Sequence, residues 1–171
     1  MRRFNILVAS DYEMNSLISE SYKDITKICG IGIADVLGFM SINDTDVIIN
    51  VGYCGSTSDI QPGTIVLVDS VMAYYKNYKT ESILLDEIDD KDYKHMTCYT
   101  STDFVTDETR KNMIFDMELL PMVAVHPNDI YSIKVVSDNG NMDDYNKSLL
   151  DMDNKDEIKK IIDSIIISYM K

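Results

Sequence analysis

Three short acidic motifs follow apolar segments of strand length and mark the places where chemistry is expected. The first motif is ASDYE at 9–13, the second is DME at 116–118 and the third is VSD at 136–138. Side chains at the ends of strands are where α/β proteins place their reactive groups. Between the first two motifs, residues 46–56 (DVIINVGYCGS) are typical of a buried strand that runs into a glycine turn. Together these features favour an enzyme over a scaffold.

The elements that must position these motifs form an alternating series of strands and helices. Most strand-like runs are continuously apolar, which is typical of a sheet covered on both faces. The predicted strands are 4–9, 25–29, 46–51, 63–71, 96–101 and 131–137, and the predicted helices are 12–22, 33–40, 118–125 and 155–169. The pattern predicts a single α/β domain over residues 1–171, with a largely buried sheet flanked by helices.

Composition and charge exclude several classes of function. The chain has 171 residues, of which 45% are hydrophobic, so one domain with a sizeable core is expected. Its net charge of −13 argues against binding to nucleic acid or to anionic lipid. No apolar stretch approaches the roughly 18 to 20 residues that cross a bilayer, and no signal-peptide core follows the N-terminus. We therefore expect a soluble protein.

The cysteines and histidines give no sign of a metal site or a disulfide. Cys29, Cys54 and Cys98 are odd in number, widely spaced and set in apolar segments, as reduced core thiols would be. His95 and His126 lack a metal-ligand spacing. A reducing, cytoplasmic location follows as the expectation.

Taken in order, the motifs resemble those of the nucleoside phosphorylase and nucleosidase superfamily. The likeness is greatest to its 5′-methylthioadenosine/S-adenosylhomocysteine nucleosidase branch and spans most of the chain. It implies a mixed central sheet, no metal or organic cofactor, a purine nucleoside as the small-molecule ligand, and a possible homodimer. The segments that carry the resemblance are 6–13, 29–32, 46–56, 62–66, 101–105, 116–118 and 137–138.

The resemblance implies that three carboxylates cleave the bond between a purine and ribose. Asp138 would be the acid that protonates the leaving base at N7, which requires that burial keep a proton on it, and Ser137 would orient it. Glu118 would accept hydrogen bonds from the ribose 2′ and 3′ hydroxyls and stabilise positive charge on the sugar. Glu13 would hold and deprotonate the attacking water.

Other positions are implied to bind the substrate. Met117 would pack on the sugar face, Phe104 would stack on the base, and the backbone of Val105 would read the edge of the base. Gly52 and Tyr53 belong to the glycine turn beside the nucleophile, where Tyr53 would narrow the site or donate a hydrogen bond. Lys134 stands where nucleosidases have arginine and would support the water or Glu13.

Two alternative functions stay open at this stage. A phosphorylase would use phosphate in place of water, and its relatives surround that anion with arginines. This chain has only three arginines. By the resemblance, Asn50 stands at a position where hexameric phosphorylases have arginine. A noncatalytic relative would bind a nucleoside or a partner chain. The chain is shorter than usual members between Ala73 and Met117, by about one helix and one strand, which favours this second alternative.

Each acidic residue also has a purely structural interpretation. Glu13 and Glu118 could be first-turn carboxylates that the helix dipole favours, and Asp138 could be the N-cap of a helix at 139–145. Phe104 and Met117 could belong to the core. The order of the motifs, rather than any single motif, favours catalytic roles.

Overall fold

A computed structural model of the chain describes residues 2–43, 45–57, 59–74, 81–106, 111–126, 129–140 and 153–170. The elements in chain order are β1 (Phe4–Val8), α1 (Asp11–Leu17), a 3-10 helix (Glu20–Ile25), β2 (Thr26–Ile28), α2 (Ile33–Ile42), β3 (Val47–Ser56), β4 (Ile65–Ala73), β5 (Ile83–Leu84), β6 (Lys94–Thr100), β7 (Ile114–Asp116), α3 (Leu119–Val125), β8 (Ile130–Asp138) and α4 (Lys155–Ser168).

The strands form one mixed sheet that closes on itself. β3 pairs in parallel with β1 and β8 and antiparallel with β7, while β4 pairs antiparallel with β8 and in parallel with β6. Since β6 also pairs with β7, the strands β3, β8, β4, β6 and β7 make a closed hydrogen-bonded ring. β1 and β2 extend the sheet outward from β3. The single α/β domain with a mixed sheet flanked by helices is confirmed.

Two apolar clusters cover the faces of this sheet. In the first, α4 packs its buried isoleucines, Ile158, Ile161, Ile162 and Ile165, against strands β1, β3 and β8. In the second, α2 and α3 pack against the opposite face, together with Cys54 and Cys98. The three cysteines are free and buried, as the sequence predicts. Among the described residues no helix is long and apolar enough to cross a membrane.

The prediction of a glycine turn after residue 51 is wrong. β3 continues through it to Ser56, so Gly52 and Gly55 lie inside a buried strand. The reason is that β8 continues to pair with β3 up to Gly55, and β7 pairs with its last two residues. Glycine is required at these two positions because the side chains of Glu13 and Asp138 approach the strand closely there.

Other element bounds differ because tertiary contacts set them. The predicted helix 12–22 ends at Leu17 and a 3-10 helix follows, whereas α3 starts at Leu119, one residue after Glu118. The strands β5 and β7 have two and three residues and were not predicted, since segments so short carry no periodic signal. The predicted helix 139–145 extends beyond the described residues.

His95 fastens the acidic segment before β6 to the sheet. Its Nδ1 lies 2.8 Å from Asp69 Oδ1 and its Nε2 lies 2.9 Å from the carbonyl oxygen of Asp90. Both partners are acceptors, so only the doubly protonated ring can donate to both. The Asp90 carbonyl and the Asp69 carboxylate accordingly raise the pKa of His95 above its ordinary value of 6.5.

We predict that the contribution of His95 to stability depends on pH. Since its pKa is raised in the folded state, this contribution is complete below about pH 6.5 and is lost as the pH rises through the folded-state value. His95→Gln should cost about 1 kcal/mol at pH 5.5 and much less at pH 8.5, measured by urea unfolding. Asp69→Asn should remove the same increment, and a His95→Gln effect that does not change with pH would contradict the assignment.

Candidate active site

The register of β3 brings the three acidic motifs together. Gly55 faces Phe115 of β7 on one side and Asp138 of β8 on the other. Asp116 and Asp138 are the last residues of their strands, so both carboxylates lie beside the second half of β3. β1 pairs with the first half of β3 and leads into α1, which carries Glu13. Side chains far apart in the chain thus converge on one strand.

A cavity of about 210 Å³ lies at this convergence. Eight of the predicted site residues line it, and Gly52 and Lys134 do not. The lining residues are Ala9, Ser10, Tyr12, Glu13, Ile31, Tyr53, Cys54, Gly55, Asp103, Phe104, Val105, Phe115, Asp116, Met117, Glu118, Ser137 and Asp138.

Glu13 is held against β3 by two backbone donors. Its Oε1 accepts a hydrogen bond from Tyr53 N at 2.8 Å, and its Oε2 accepts one from Ala9 N. The Ser10 side chain caps α1 by accepting from Glu13 N, which fixes the start of the helix. Burial raises the pKa of Glu13, and the two backbone hydrogen bonds and Lys134 oppose that shift. Glu13 is therefore a fixed, buried carboxylate and not a solvated helix residue.

Gly52 makes the position of Glu13 possible. A Cβ atom built on Gly52 would lie 2.9 Å from Glu13 Oε1, closer than real Cβ contacts allow. Gly55 has the same relation to Asp138, since its Cβ would lie 3.3 Å from Asp138 Oδ1. The two glycines therefore leave room on β3 for two of the three carboxylates. Gly52 supports the site from behind Glu13, outside the cavity wall.

Glu118 reaches from the start of α3 to the start of α2. Its Oε1 accepts a hydrogen bond from Gly32 N at 2.9 Å, and its Oε2 accepts one from Met117 N at 3.2 Å. Glu118 makes no capping bond to α3, although it is the N-cap residue. Burial and the neighbouring Asp116 raise its pKa to about 7. A carboxyl group whose pKa lies near neutral pH is a common feature of functional sites.

Asp138 is held by hydrogen bonds at both carboxyl oxygens. Ser137 Oγ lies 2.7 Å from Asp138 Oδ2, and Gly140 N donates to Oδ1 at 2.8 Å. The Ser137 hydroxyl can instead donate to the carbonyl of Cys54 at 3.1 Å, which anchors this end of β8 to β3. Asp138 is 1% exposed and lines the cavity. Ser137 is therefore within hydrogen-bond distance of Asp138, the residue that the resemblance implied it would orient.

The loop at 101–106 closes one side of the cavity. Phe104 is half-buried and Val105 follows it on the wall. A Cβ atom on Gly140, which has a φ of +77°, would lie 3.4 Å from the carbonyl oxygen of Val105. The loop therefore packs directly on the turn that follows Asp138. Phe104 and Asp138 are thereby kept on the same side of the cavity.

Two tyrosines form another part of the wall. The rings of Tyr12 and Tyr53 lie 6.0 Å apart, and Tyr53 Oη donates to Ser16 Oγ at 3.1 Å. Burial raises the pKa of Tyr53 to about 12, so its hydroxyl stays protonated. Tyr53 lines the cavity with its ring, while its backbone N–H holds Glu13. Tyr53 is thus part of the cavity wall, and its role toward a ligand stays a prediction.

Lys134, predicted to support the nucleophile water or Glu13, is not among the residues that line the cavity. Its side chain is 1% exposed, and its Nζ pairs with Asp116 Oδ2 at 2.8 Å. Lys134 stands opposite Gly52 in the β3–β8 ladder, and the carboxylate of Glu13 approaches that same glycine. Lys134 is therefore not on the cavity wall, and its charge acts on Glu13 and Glu118.

Asp116 was part of a predicted motif but was given no role. Its Oδ1 accepts from Thr100 Oγ1 at 2.6 Å, and its Oδ2 accepts from Leu119 N at 2.9 Å as well as from Lys134. Asp116 thus caps α3 and ties β7 to β6. The acidic character of the motif was visible in the sequence, whereas its pairing with a lysine 18 residues later was not. Among the described residues no group of His, Cys, Asp or Glu has a metal-binding arrangement.

Comparisons with known proteins identify the fold. No protein-family model matches the sequence, and no curated protein matches it either. Solved structures do match. A methylthioadenosine nucleosidase variant from Chlamydia trachomatis, bound to methylthioadenosine, has a TM-score of 0.72 at 16% identity, over 99% of this chain and 98% of that one. The chain has the nucleosidase fold.

Two further structures share this nucleosidase fold. S-adenosylhomocysteine nucleosidase from Streptococcus pyogenes has a TM-score of 0.69 at 12% identity, over 96% of both chains. Futalosine hydrolase from Helicobacter pylori has a TM-score of 0.72 at 12% identity, over 98% of both chains. Identities this low establish the architecture, and the residues of the cavity must support any statement about activity.

We predict that Gly52→Ala displaces Glu13. The added Cβ would lie 2.9 Å from Oε1, too close for both, so Glu13 shifts and the buried N–H of Tyr53 loses its acceptor. The variant should lose about 1 to 3 kcal/mol of stability. Gly38→Ala is a matched control, because nothing lies within 4 Å of its Cβ position on α2. That change should be neutral or stabilise by up to about 1 kcal/mol. Equal unfolding free energies for both variants would contradict this account.

Proposed function

We propose that this protein is a purine nucleosidase that hydrolyses the N-glycosidic bond of 5′-methylthioadenosine, S-adenosylhomocysteine or a related nucleoside. The observation that carries the proposal is the meeting of Glu13, Glu118 and Asp138, from three separate elements, at one cavity. Phe104 and Val105 lie on the wall of the same cavity. The site therefore offers an acid, a cation stabiliser, a base and a stacking surface within the reach of one small molecule.

The leaving base would be protonated by Asp138. A purine leaves readily only when it gains a proton, because the neutral base is a far better leaving group than its anion. Phe104 would stack on the base and Val105 would bind its edge. A Cβ on Gly140, two residues after Asp138, would lie 3.4 Å from the carbonyl oxygen of Val105, so the two loops are close neighbours. A base bound at Val105 would then be near Asp138, the acid that protonates it.

The ribose would lie against Glu118. Each oxygen of Glu118 holds one backbone N–H, from Gly32 or Met117, and keeps a second lone pair for a ribose hydroxyl. As the glycosidic bond breaks, positive charge develops on the sugar, and a buried carboxylate stabilises it strongly. Met117 lines the cavity beside Glu118 and would pack on the sugar.

Glu13 would activate the attacking water. Its raised pKa makes it a stronger base than an exposed glutamate, which suits proton removal near neutral pH. Its two backbone hydrogen bonds keep the carboxylate in one orientation. A fixed base can hold water in line for attack at low entropic cost.

The charges on the cavity wall favour water over phosphate as the nucleophile. Five of the described lining residues are acidic, namely Glu13, Asp103, Asp116, Glu118 and Asp138, and none of the described lining residues is lysine or arginine. Phosphate sites in proteins are built from cationic side chains and backbone N–H groups. The hydrolase is therefore preferred over the phosphorylase.

Release of free base tests this function directly. We expect release from methylthioadenosine, adenosylhomocysteine or adenosine, with inosine tested alongside, at a rate that does not depend on phosphate. Asp138→Asn should reduce kcat by about 10²- to 10⁴-fold, because the acid is lost. Asp156→Asn, an exposed aspartate on α4, controls for the change from acid to amide.

Three outcomes separate the alternatives. Release that requires phosphate would establish a phosphorylase. Release that Asp138→Asn leaves unchanged would remove Asp138 from the mechanism. A folded protein that binds these nucleosides but releases no base would be a noncatalytic relative, and the proposed function would be wrong.

We also propose that the protein is a homodimer that pairs through α2. Most residues of this helix are apolar, with Asp35 and Ser41 as its polar residues, and apolar positions of a helix are normally buried. Val36 and Met40 are buried, yet Leu37 is 41% exposed and Ile42 is 84% exposed. Ile31, just before α2, is exposed and also lines the cavity. A second copy covering this face would border the cavity.

Light scattering tests the dimer. We expect twice the mass of one chain for the wild type and a monomer for Leu37→Glu combined with Ile42→Glu, because the charges cannot be buried unpaired. Ile167→Glu, an exposed residue on α4, is the matched control and should stay dimeric. A monomeric wild type at micromolar concentration would contradict the proposal.

The free, buried state of Cys29, Cys54 and Cys98 supports a reducing compartment. Disulfide-free proteins with several thiols are typical of such compartments. We propose the cytoplasm as the place of action, which fractionation of cells that express the protein would test.

A further inference from the structure

The carboxylates of the site share a single buried cation among the described residues that surround them. Lys134 pairs with Asp116, and its charge also acts on Glu13 and Glu118. The side chains of Lys134 and Asp116 are 1% and 0% exposed. An ion pair removed from water this completely is a costly arrangement, because both charges lose their hydration. A buried ion pair of this cost is expected to have a role in the site.

Every oxygen of Asp116 is engaged. Thr100 Oγ1, Leu119 N and Lys134 Nζ all donate to it, and Leu120 N in turn donates to Thr100 Oγ1 at 3.0 Å. These bonds fix the ends of β6 and β7 and the first turn of α3, where Glu118 stands. Asp116 is therefore rigid, and it fixes the ammonium group of Lys134 in turn.

The position of Lys134 relative to Glu13 follows from the strand register. Lys134 stands opposite Gly52 in the β3–β8 ladder, and a Cβ on Gly52 would lie 2.9 Å from Glu13 Oε1. The charge of Lys134 thus acts on Glu13 while its Nζ pairs with Asp116. Glu118 follows Asp116 by two residues and completes the cluster.

We propose that Asp116 and Lys134 are positioning residues of this site: Lys134 is the shared counter-charge of Glu13 and Glu118, and Asp116 holds it in place while opposing its effect. The kinetic part of this inference rests on the proposed function. The pair sets how readily the two glutamates ionise, and neither member touches the reacting atoms. Glu13 must be ionised to act as a base and Glu118 must be ionised to stabilise a cation.

The charges around the two glutamates support opposite effects of the pair. At both glutamates burial is the largest influence and raises the pKa, Lys134 lowers it and Asp116 raises it. At Glu118 the influence of Asp116 exceeds that of Lys134, whereas at Glu13 that of Lys134 exceeds that of Asp116. Other titratable groups around the cluster are Asp138, Asp103 and Tyr12 on the cavity wall, and Cys29, Cys54, Cys98 and Tyr53, in each of which burial raises the pKa.

Titration of the glutamate side chains by NMR, with ¹³C-labelled carboxyl groups, tests the inference without requiring activity. Glu118→Gln and Glu13→Gln assign the two signals, and the wild-type Glu118 midpoint should lie at about 7. Lys134→Met should raise both midpoints, and Asp116→Asn should lower both, by roughly one unit or more. Lys134→Arg keeps the charge and should restore the wild-type midpoints.

Opposite shifts are the signature that a merely structural pair would not give. If both single variants moved the midpoints in the same direction, or if neither moved them, the proposal would be overturned. Lys159→Met breaks a comparable lysine–aspartate pair with Asp163 on α4 and is the matched control. That variant should leave both midpoints unchanged.

A second variant keeps the test decisive if a single variant does not fold. Lys134→Met combined with Asp116→Asn removes both charges of the pair, so neither member is left buried without the other. Relative to whichever single variant folds, the second substitution should move both midpoints back toward the wild-type values, because the two charges act in opposite directions. A second substitution that moved the midpoints further from the wild-type values would overturn the inference.

Kinetics separates this inference from the proposed function. If base is released, the acidic limb of the kcat/KM profile should move to higher pH in Lys134→Met and to lower pH in Asp116→Asn. If no base is released from any nucleoside, the proposed function fails while the NMR shifts still decide the inference. If base is released but neither variant moves the acidic limb or the NMR midpoints, the proposed function is kept and the role of the pair is rejected.

Discussion

The second half of β3 is the constraint on which the rest of the structure depends. It pairs with β8 as far as Gly55 and with β7 at Gly55 and Ser56, so two strands that end in aspartate finish beside it. Between these pairings Tyr53 N donates to Glu13 and not to another strand. Gly52 and Gly55 leave room for Glu13 and Asp138 to approach β3 closely. The positions of both carboxylates follow from backbone pairing.

Closing the sheet into a ring gives this strand its partners. β4 and β6 link β8 to β7, so the ring sets the distance between the last residues of the two strands. The interior next to them is poor in water, which raises the pKa of Glu13 and Glu118 and makes each buried charge depend on its neighbours. The cost of burying Lys134 is offset because Asp116 is held rigidly by three donors.

Local sequence patterns located the long elements but not the contacts that end them. Continuous apolar runs indicated β1, β4 and β8, and the isoleucine spacing indicated α4, because each of these buries a whole face. The glycines of β3 were interpreted as a turn, because glycine usually forms turns. Glycine also allows another chain segment to approach a strand closely, and that use has no signal in the local sequence. β7 has three residues, and its pairing with β3 and β6 depends on residues distant in the chain.

The sequence by itself determined the α/β class, the buried thiols and the three acidic motifs, because these depend on residue type and short-range order. Only the tertiary structure decided that Lys134 is buried against Asp116 and that Tyr53 N and Gly32 N hold Glu13 and Glu118. Those contacts join residues 18, 40 and 86 positions apart. The physical reason is that a charge acquires its partner and its desolvation from the packing of separate elements, which no local pattern records.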